Sequence, residues 1–105
     1  MEKIIKEKEE ALVEVENNYW ALEDVSDELK ADKDVVMAAV QKHDGGLLQY
    51  ASEELRADAV VVMAAVQSWG KALQYASDEL KADKWVVMAA VQNDPYALEF
   101  ASEEL

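Results

Sequence analysis

Few residues of this chain are of the types that carry out chemistry. His43 is the single histidine and stands beside Asp44, so one His–Asp pair exists, but there is no cysteine to serve as nucleophile or thiolate ligand. Ser26, Ser52, Ser77 and Ser102 recur at intervals of 26, 25 and 25 residues, and none has a histidine at a fixed offset. A triad needs a base held against its nucleophile. A serine that returns with a structural period instead takes a free backbone N–H in a turn or cap. No phosphate loop or dinucleotide fingerprint is present. His43 reads as an exposed turn residue. No catalytic residue, metal ligand or cofactor is assigned, and the chain is not expected to be an enzyme.

Acidic residues form a second set. Asp27-Glu28, Glu53-Glu54, Asp78-Glu79 and Glu103-Glu104 each follow a repeat serine, and Asp32, Asp58 and Asp83 stand where helix N-caps belong. Stacked at roughly 10 Å, they would form a ladder able to hold cations or a basic peptide. They lack the alternating acids and closing Glu of a calcium loop. Carboxylates at helix N-termini are the simpler reading.

Aromatic residues are the more informative candidates. Aligning the internal copies separates fixed Leu, Ala and Val positions from changing ones at helix ends. Trp20, Leu47, Lys71 and Tyr96 are assigned one phase. Asn18, Trp69 and Asp94 share the next, with His43 or Asp44 beside them, and Trp85, Val60 and Asp34 share a third. Tyr19, Trp20, His43, Trp69 and Tyr96 are therefore expected along one edge as partner-binding residues, with Trp85 on the other, since Trp and Tyr dominate binding hot spots. Packing into local gaps and contact between copies are the competing roles. Tyr50, Tyr75 and Phe100 recur at one phase and are expected to be core or half-buried.

These side chains must be positioned by a repeat. The block SDELKADKDVVMAAVQ from Ser26 returns as SEELRADAVVVMAAVQ from Ser52 and SDELKADKWVVMAAVQ from Ser77, each preceded by an AL-x-Y/F-A-like piece. The pattern predicts units of about 25 residues: a short helix A carrying that piece, a tight turn opened by Ser, an Asp N-cap, and a helix B of about eleven residues carrying VVMAAVQ. Glycines after helix B are expected to supply positive φ, and Pro95 to start the next helix. Residues 1–17 read as a capping helix with Ile4, Ile5, Ala11, Leu12 and Val15 on one face and Glu2–Lys6 and Lys6–Glu10 charge pairs. Repeats span 18–43, 44–68 and 69–93, and a half repeat spans 94–105. All form one domain, an all-α, short α-solenoid of right-handed type. Val60-Val61-Val62 favours a strand by propensity, so a βα solenoid is the alternative. The Asp caps and paired alanines argue for helix.

The pattern AL-x-Y-A-S-E-E-L-K-x-D-K-x-V-V-x-x-A-V, carried here by Ala72 to Lys84, Val86-Val87 and Ala90-Val91, resembles the helical repeat family catalogued as domain of unknown function 4116. The resemblance covers residues 18 to 105. It implies tandem helical repeats and carries no catalytic motif. Near-identical blocks also fit a consensus-style designed module or a natural fragment of a longer protein.

The formal net charge is -13 and Arg56 is the only arginine. Nucleic acid and anionic membranes are unfavourable partners for such a surface, whereas a basic protein or peptide is attracted. The longest apolar run, Ala59 to Val66, is eight residues, against about 20 for a spanning helix. A soluble, intracellular protein is expected, acting as a non-catalytic scaffold for protein–protein interaction. The alternative is self-assembly through the C-terminal half repeat, where Leu98, Phe100 and Leu105 would be left uncovered.

Overall fold

Four ten-residue helices organise the chain: α1 (Lys8–Asn17), α4 (Lys33–Lys42), α6 (Ala59–Ser68) and α8 (Lys84–Asn93). The computed structural model describes residues 4–102. The last three helices begin at Asp32, Asp58 and Asp83. In each, one carboxylate oxygen accepts from the second and third N–H groups of the helix, at 2.9 and 3.3 Å, 2.9 and 3.2 Å, and 2.9 and 3.1 Å. These N–H groups have no partner inside the helix, so the cap is what fixes its start. Val61 and Val62 lie inside α6 and are fully buried. Burial of the branched side chains thus outweighs their strand propensity, and among the described residues there is no strand.

Between the long helices the chain departs from the expected helix A. The AL-x-Y/F-A pieces form six-residue 3-10 helices, η1 (Gly45–Tyr50), η2 (Gly70–Tyr75) and η3 (Pro95–Phe100), and only the first copy forms an α-turn, α2 (Ala21–Asp24). The expected turn after each serine is itself a single helical turn: α3 (Asp27–Lys30), α5 (Glu53–Arg56) and α7 (Asp78–Lys81). Ser26, Ser52 and Ser77 are their N-caps, each Oγ accepting from a leucine N–H at 3.3 to 3.4 Å. Each unit therefore has three helical pieces rather than two.

The serine N–H does separate work. Ser52 donates to Lys30 O at 2.9 Å, Ser77 to Arg56 O at 2.9 Å and Ser102 to Lys81 O at 2.8 Å, so one main-chain bond joins each unit to the one before. Ser26 makes the same bond to Ile5 O at 2.7 Å. Ile5 thus stands where Lys30, Arg56 and Lys81 stand later. Ile4 and Ile5 are not helical, and Ile5 pairs with Val25 in an isolated parallel bridge. The expected single helix over 1–17 begins only at Lys8, which removes the helical spacing of Lys6 with Glu10. Glu2 lies outside the described residues.

The long helices stack side by side as one layer, and the 3-10 and single-turn pieces form the other, giving extents of 44 × 22 × 21 Å. The core between them repeats Val35, Val36, Ala39 and Val40 as Val61, Val62, Ala65 and Val66, closed from the other layer by Leu22, Leu48 and Leu73. Replacing such a buried Leu by Ala costs about 2–5 kcal/mol. Glycine serves this packing, and none of the three has the expected positive φ. A Cβ on Gly45 would overlap the Ala65 carbonyl, and one on Gly70 the Ala90 carbonyl. The 3-10 piece of one unit passes directly against the long helix of the next.

Candidate functional site

The edge expected to carry aromatics is built where each long helix ends. Eight residues before each serine, a side-chain oxygen accepts from the N–H two residues on: Asn18 from Trp20 at 3.0 Å, Asp44 from Gly46 at 2.7 Å, Asp94 from Tyr96 at 2.9 Å. Trp20, Gly46, Lys71 and Tyr96 are therefore equivalent, and Gly46 takes the place assigned above to Leu47, which is fully buried. The extra residue of the first interval is His43, the C-cap of α4. At the third unit Trp69 replaces the accepting residue. There Asn93 of α8 instead takes a neighbouring amide, accepting from Gly70 N at 2.6 Å and donating to Gln67 O at 3.1 Å.

Tyr19, Trp20 and His43 come together. The Tyr19 ring lies 4.9 Å from that of Trp20 and 5.5 Å from that of His43, both edge-on. Its hydroxyl donates to Asp44 Oδ1 at 3.2 Å. Burial raises the Tyr19 phenol above its ordinary range and the Asp44 carboxylate raises it further, so it remains a donor. His43 is half-buried rather than exposed, and its Nε2 lies 2.7 Å from the Val15 carbonyl of α1. That acceptor requires Nε2 to carry the proton. The ring is engaged in joining two units.

Trp69 faces Tyr19 across a shallow cleft of about 220 Å³, lined also by Asp44, Gly46, Gln49 and Ser68. Its six-membered ring lies 3.3 Å from where a Gly46 Cβ would stand, so the absent side chain leaves it room. Farther along, Tyr96 is 77% exposed, with Lys71 Nζ 5.8 Å from its ring centre. Trp85 does not join this edge. It projects from the first turn of α8, 68% exposed, with Lys84 Nζ 5.7 Å from its ring. Tyr50, Tyr75 and Phe100 are half-buried against the core.

Some of the acids are committed. Beyond capping, Asp32 and Asp34 hold Lys8 at 3.3 and 2.8 Å, and Asp58 holds Lys33 at 3.3 Å. The third rung of this ladder is missing its lysine, because Ala59 stands where Lys8 and Lys33 stand. Among the described residues no group of three or more acids or histidines is placed to hold a metal ion. Glu103 and Glu104 lie outside the described residues. Two features escaped the sequence reading: the Asp44 bond to Tyr19, and the outward place of Met37, Met63 and Met88, whose signal was a methionine at the same point of every block.

No helix among the described residues is long and apolar enough to cross a membrane. No curated protein and no solved structure gives a match to the chain. A family model described as a domain of unknown function (DUF4116) matches twice, over residues 11–56 and 61–105. Each match spans close to two of the units described above, so with most of its residues inside the two segments the chain belongs to this family of tandem helical repeats.

Proposed function

We propose that the protein is a non-catalytic scaffold that binds a protein or peptide along the edge formed by Tyr19, Trp20, Trp69 and Tyr96. The carrying observation is that two repeat-equivalent positions on this edge hold large aromatics left 58% and 77% exposed, Trp20 and Tyr96, with the Tyr19–Trp69 cleft on the same edge. Aromatics held on a rigid stack lose little freedom on binding, which favours affinity. The commitment of His43 to the Val15 carbonyl supports a structural role for the one histidine. A net charge of -13 favours basic partners over nucleic acid or anionic membrane.

Selection of ligands from a displayed peptide library tests this reading. Trp20→Ala with Tyr96→Ala should weaken selected peptides about tenfold or more, as hot-spot truncations do, with the helical circular dichroism unchanged. Peptides that bind the double variant equally well would remove the edge from consideration.

Self-assembly through the C-terminal half repeat is a second reading, favoured by one observation. Leu98 is 60% exposed, whereas its equivalents Leu22, Leu48 and Leu73 are fully buried. Light scattering across concentrations reads it directly.

A further inference from the structure

The outer surface of the long-helix layer, on the side of the helices away from the core, carries a second set of repeat-equivalent residues. Along α6 these are Ala59, Val60, Met63, Ala64 and Gln67. The same places hold Asp34, Met37, Ala38 and Gln41 on α4, Trp85, Met88, Ala89 and Gln92 on α8, and Leu12, Val13 and Glu16 on α1. Val13 is 56% exposed, Val60 57%, Trp85 68% and Met88 42%, while Met37 and Met63 are half-buried. A stripe of Leu-Val, Met-Ala, Met-Ala and Met-Ala pairs therefore crosses the helices.

The stripe is recessed where alanine alternates with methionine. A depression of about 470 Å³ lies over Met37, Val60, Met63 and Ala64. A second, of about 430 Å³, lies over Met37 and Ala38 and is flanked by Glu16 and Asp34. Met37 belongs to both, so they form one trough. The two depressions run from Glu16 of α1 across α4 to α6. Continued over α8 along the stripe, at 8–10 Å between neighbouring helices, the apolar surface is roughly 30 Å long, which a helix of about 20 residues spans. Methionine is unbranched and polarizable and adapts to varied apolar surfaces.

Charge says what fits. Lys8 and Lys33 on this side are engaged by Asp32, Asp34 and Asp58, leaving Lys42 and Lys84 as its other cations. Against them stand the exposed Glu9 and Glu16 of α1, set in a chain that is strongly acidic as a whole. With 23 acids to 10 cations in the chain, a second copy meets repulsion here, whereas a positively charged chain meets attraction.

We propose that this methionine trough, with the stripe that continues it, binds a basic amphipathic helix, its apolar face on Met37, Met63, Val60, Met88 and Trp85 and its lysines or arginines drawn by the chain's excess of acids. The site is separate from the aromatic edge and does not depend on it.

The probe is a fluorescein-labelled 20-residue peptide of leucine and lysine with leucines at helical i, i+3, i+4 and i+7 spacing. Its control is a scramble of the same composition with no apolar face. Fluorescence anisotropy should show the amphipathic peptide binding at least tenfold tighter than the scramble. Val60→Glu with Trp85→Glu should lower that affinity at least tenfold, although the added negative charge alone would raise it. Trp20→Ala should leave it unchanged. Both altered positions are exposed, and Met63→Gln, read with circular dichroism, gives an independent variant. Equal binding of the scramble would reduce the interaction to charge and overturn the proposal, as would affinity insensitive to both trough variants. A dimer seen by light scattering and dissociated by the two glutamates would assign the trough to a second copy instead, which also overturns it.

Discussion

At Asp58 one side chain closes a helix and joins two units. Oδ1 accepts from the amides of Val60 and Val61, and Oδ2 meets Lys33 of the preceding helix at 3.3 Å. Burial pushes this carboxyl up, but the Val61 and Val60 amides and the Lys33 ammonium outweigh it and hold it below the ordinary carboxylate range. A depressed folded value means the unfolded chain takes up the proton first. The resulting stability is present above the unfolded value of about 3.9 and is lost as pH falls through the folded one. Asp58→Ala should cost about 1 kcal/mol at neutral pH, the usual worth of a cap. Asp58→Asn keeps a capping oxygen and loses the charge. It should therefore retain most neutral-pH stability while flattening the loss on acidification, measured by thermal unfolding between pH 7 and 3. An unchanged acid slope in Asp58→Asn would detach the carboxylate from the acid response. Asp34 is also held below its ordinary range, by its hydrogen bond and charge contact with Lys8, but it is open to water, so screening leaves Asp58 the better probe.

At the level of elements, the close pass between the 3-10 pieces and the next long helix decides which substitutions are tolerated. Gly45→Ala should lower stability by about 1–3 kcal/mol or more, because its Cβ would overlap the main-chain carbonyl of Ala65, which cannot rotate away. Gly46→Ala, one residue on, should cost less. Its Cβ would meet Asp44 Oδ1 at 2.9 Å and the Trp69 ring at 3.3 Å, both side-chain atoms, whose torsions can shift where a helix carbonyl cannot. Denaturant midpoints of the two variants measure the contrast, and equal losses would contradict the close-pass account. The last three long helices were legible in the sequence because an Asp cap, a β-branched pair and two alanines recur in each block. The 3-10 pieces and the Ser-capped single turns were not, because a segment of four to six residues shows no period and its geometry follows from the approach of its neighbour. The same limit applied to the edge. Alignment brought Tyr19, Trp20, Trp69 and Tyr96 to one side, but placing Gly46 rather than Leu47 in their row, and His43 as the inserted residue, required knowing where α4 ends.

Across the whole molecule the stack has two unlike ends. Ala65 and Ala90 face the preceding unit, with Val61 and Val86 one turn away on the same face. At the equivalent places α1 carries Glu14 and Glu10. The far end instead leaves Leu98 open, and Val91 half-buried where Val40 and Val66 are fully buried. Docking one copy head-to-tail on another would bury Glu14 against Leu98 and Val91, and taking its carboxylate out of water there costs several kcal/mol. Association through the open end is thus expected to pair like ends in a closed dimer. Leu98→Glu should return such a dimer to monomer without altering its helical signal, whereas growth into higher oligomers would contradict the pairing of like ends. A stack in which each unit holds only its neighbours also has a mechanical character. Pulled along its 44 Å axis, with each Ser-to-carbonyl bond crossing one junction, the stack meets the load one junction at a time. The molecule then yields like a chain of latches, each release paying out about 25 residues of slack, on the order of 80 Å when drawn straight.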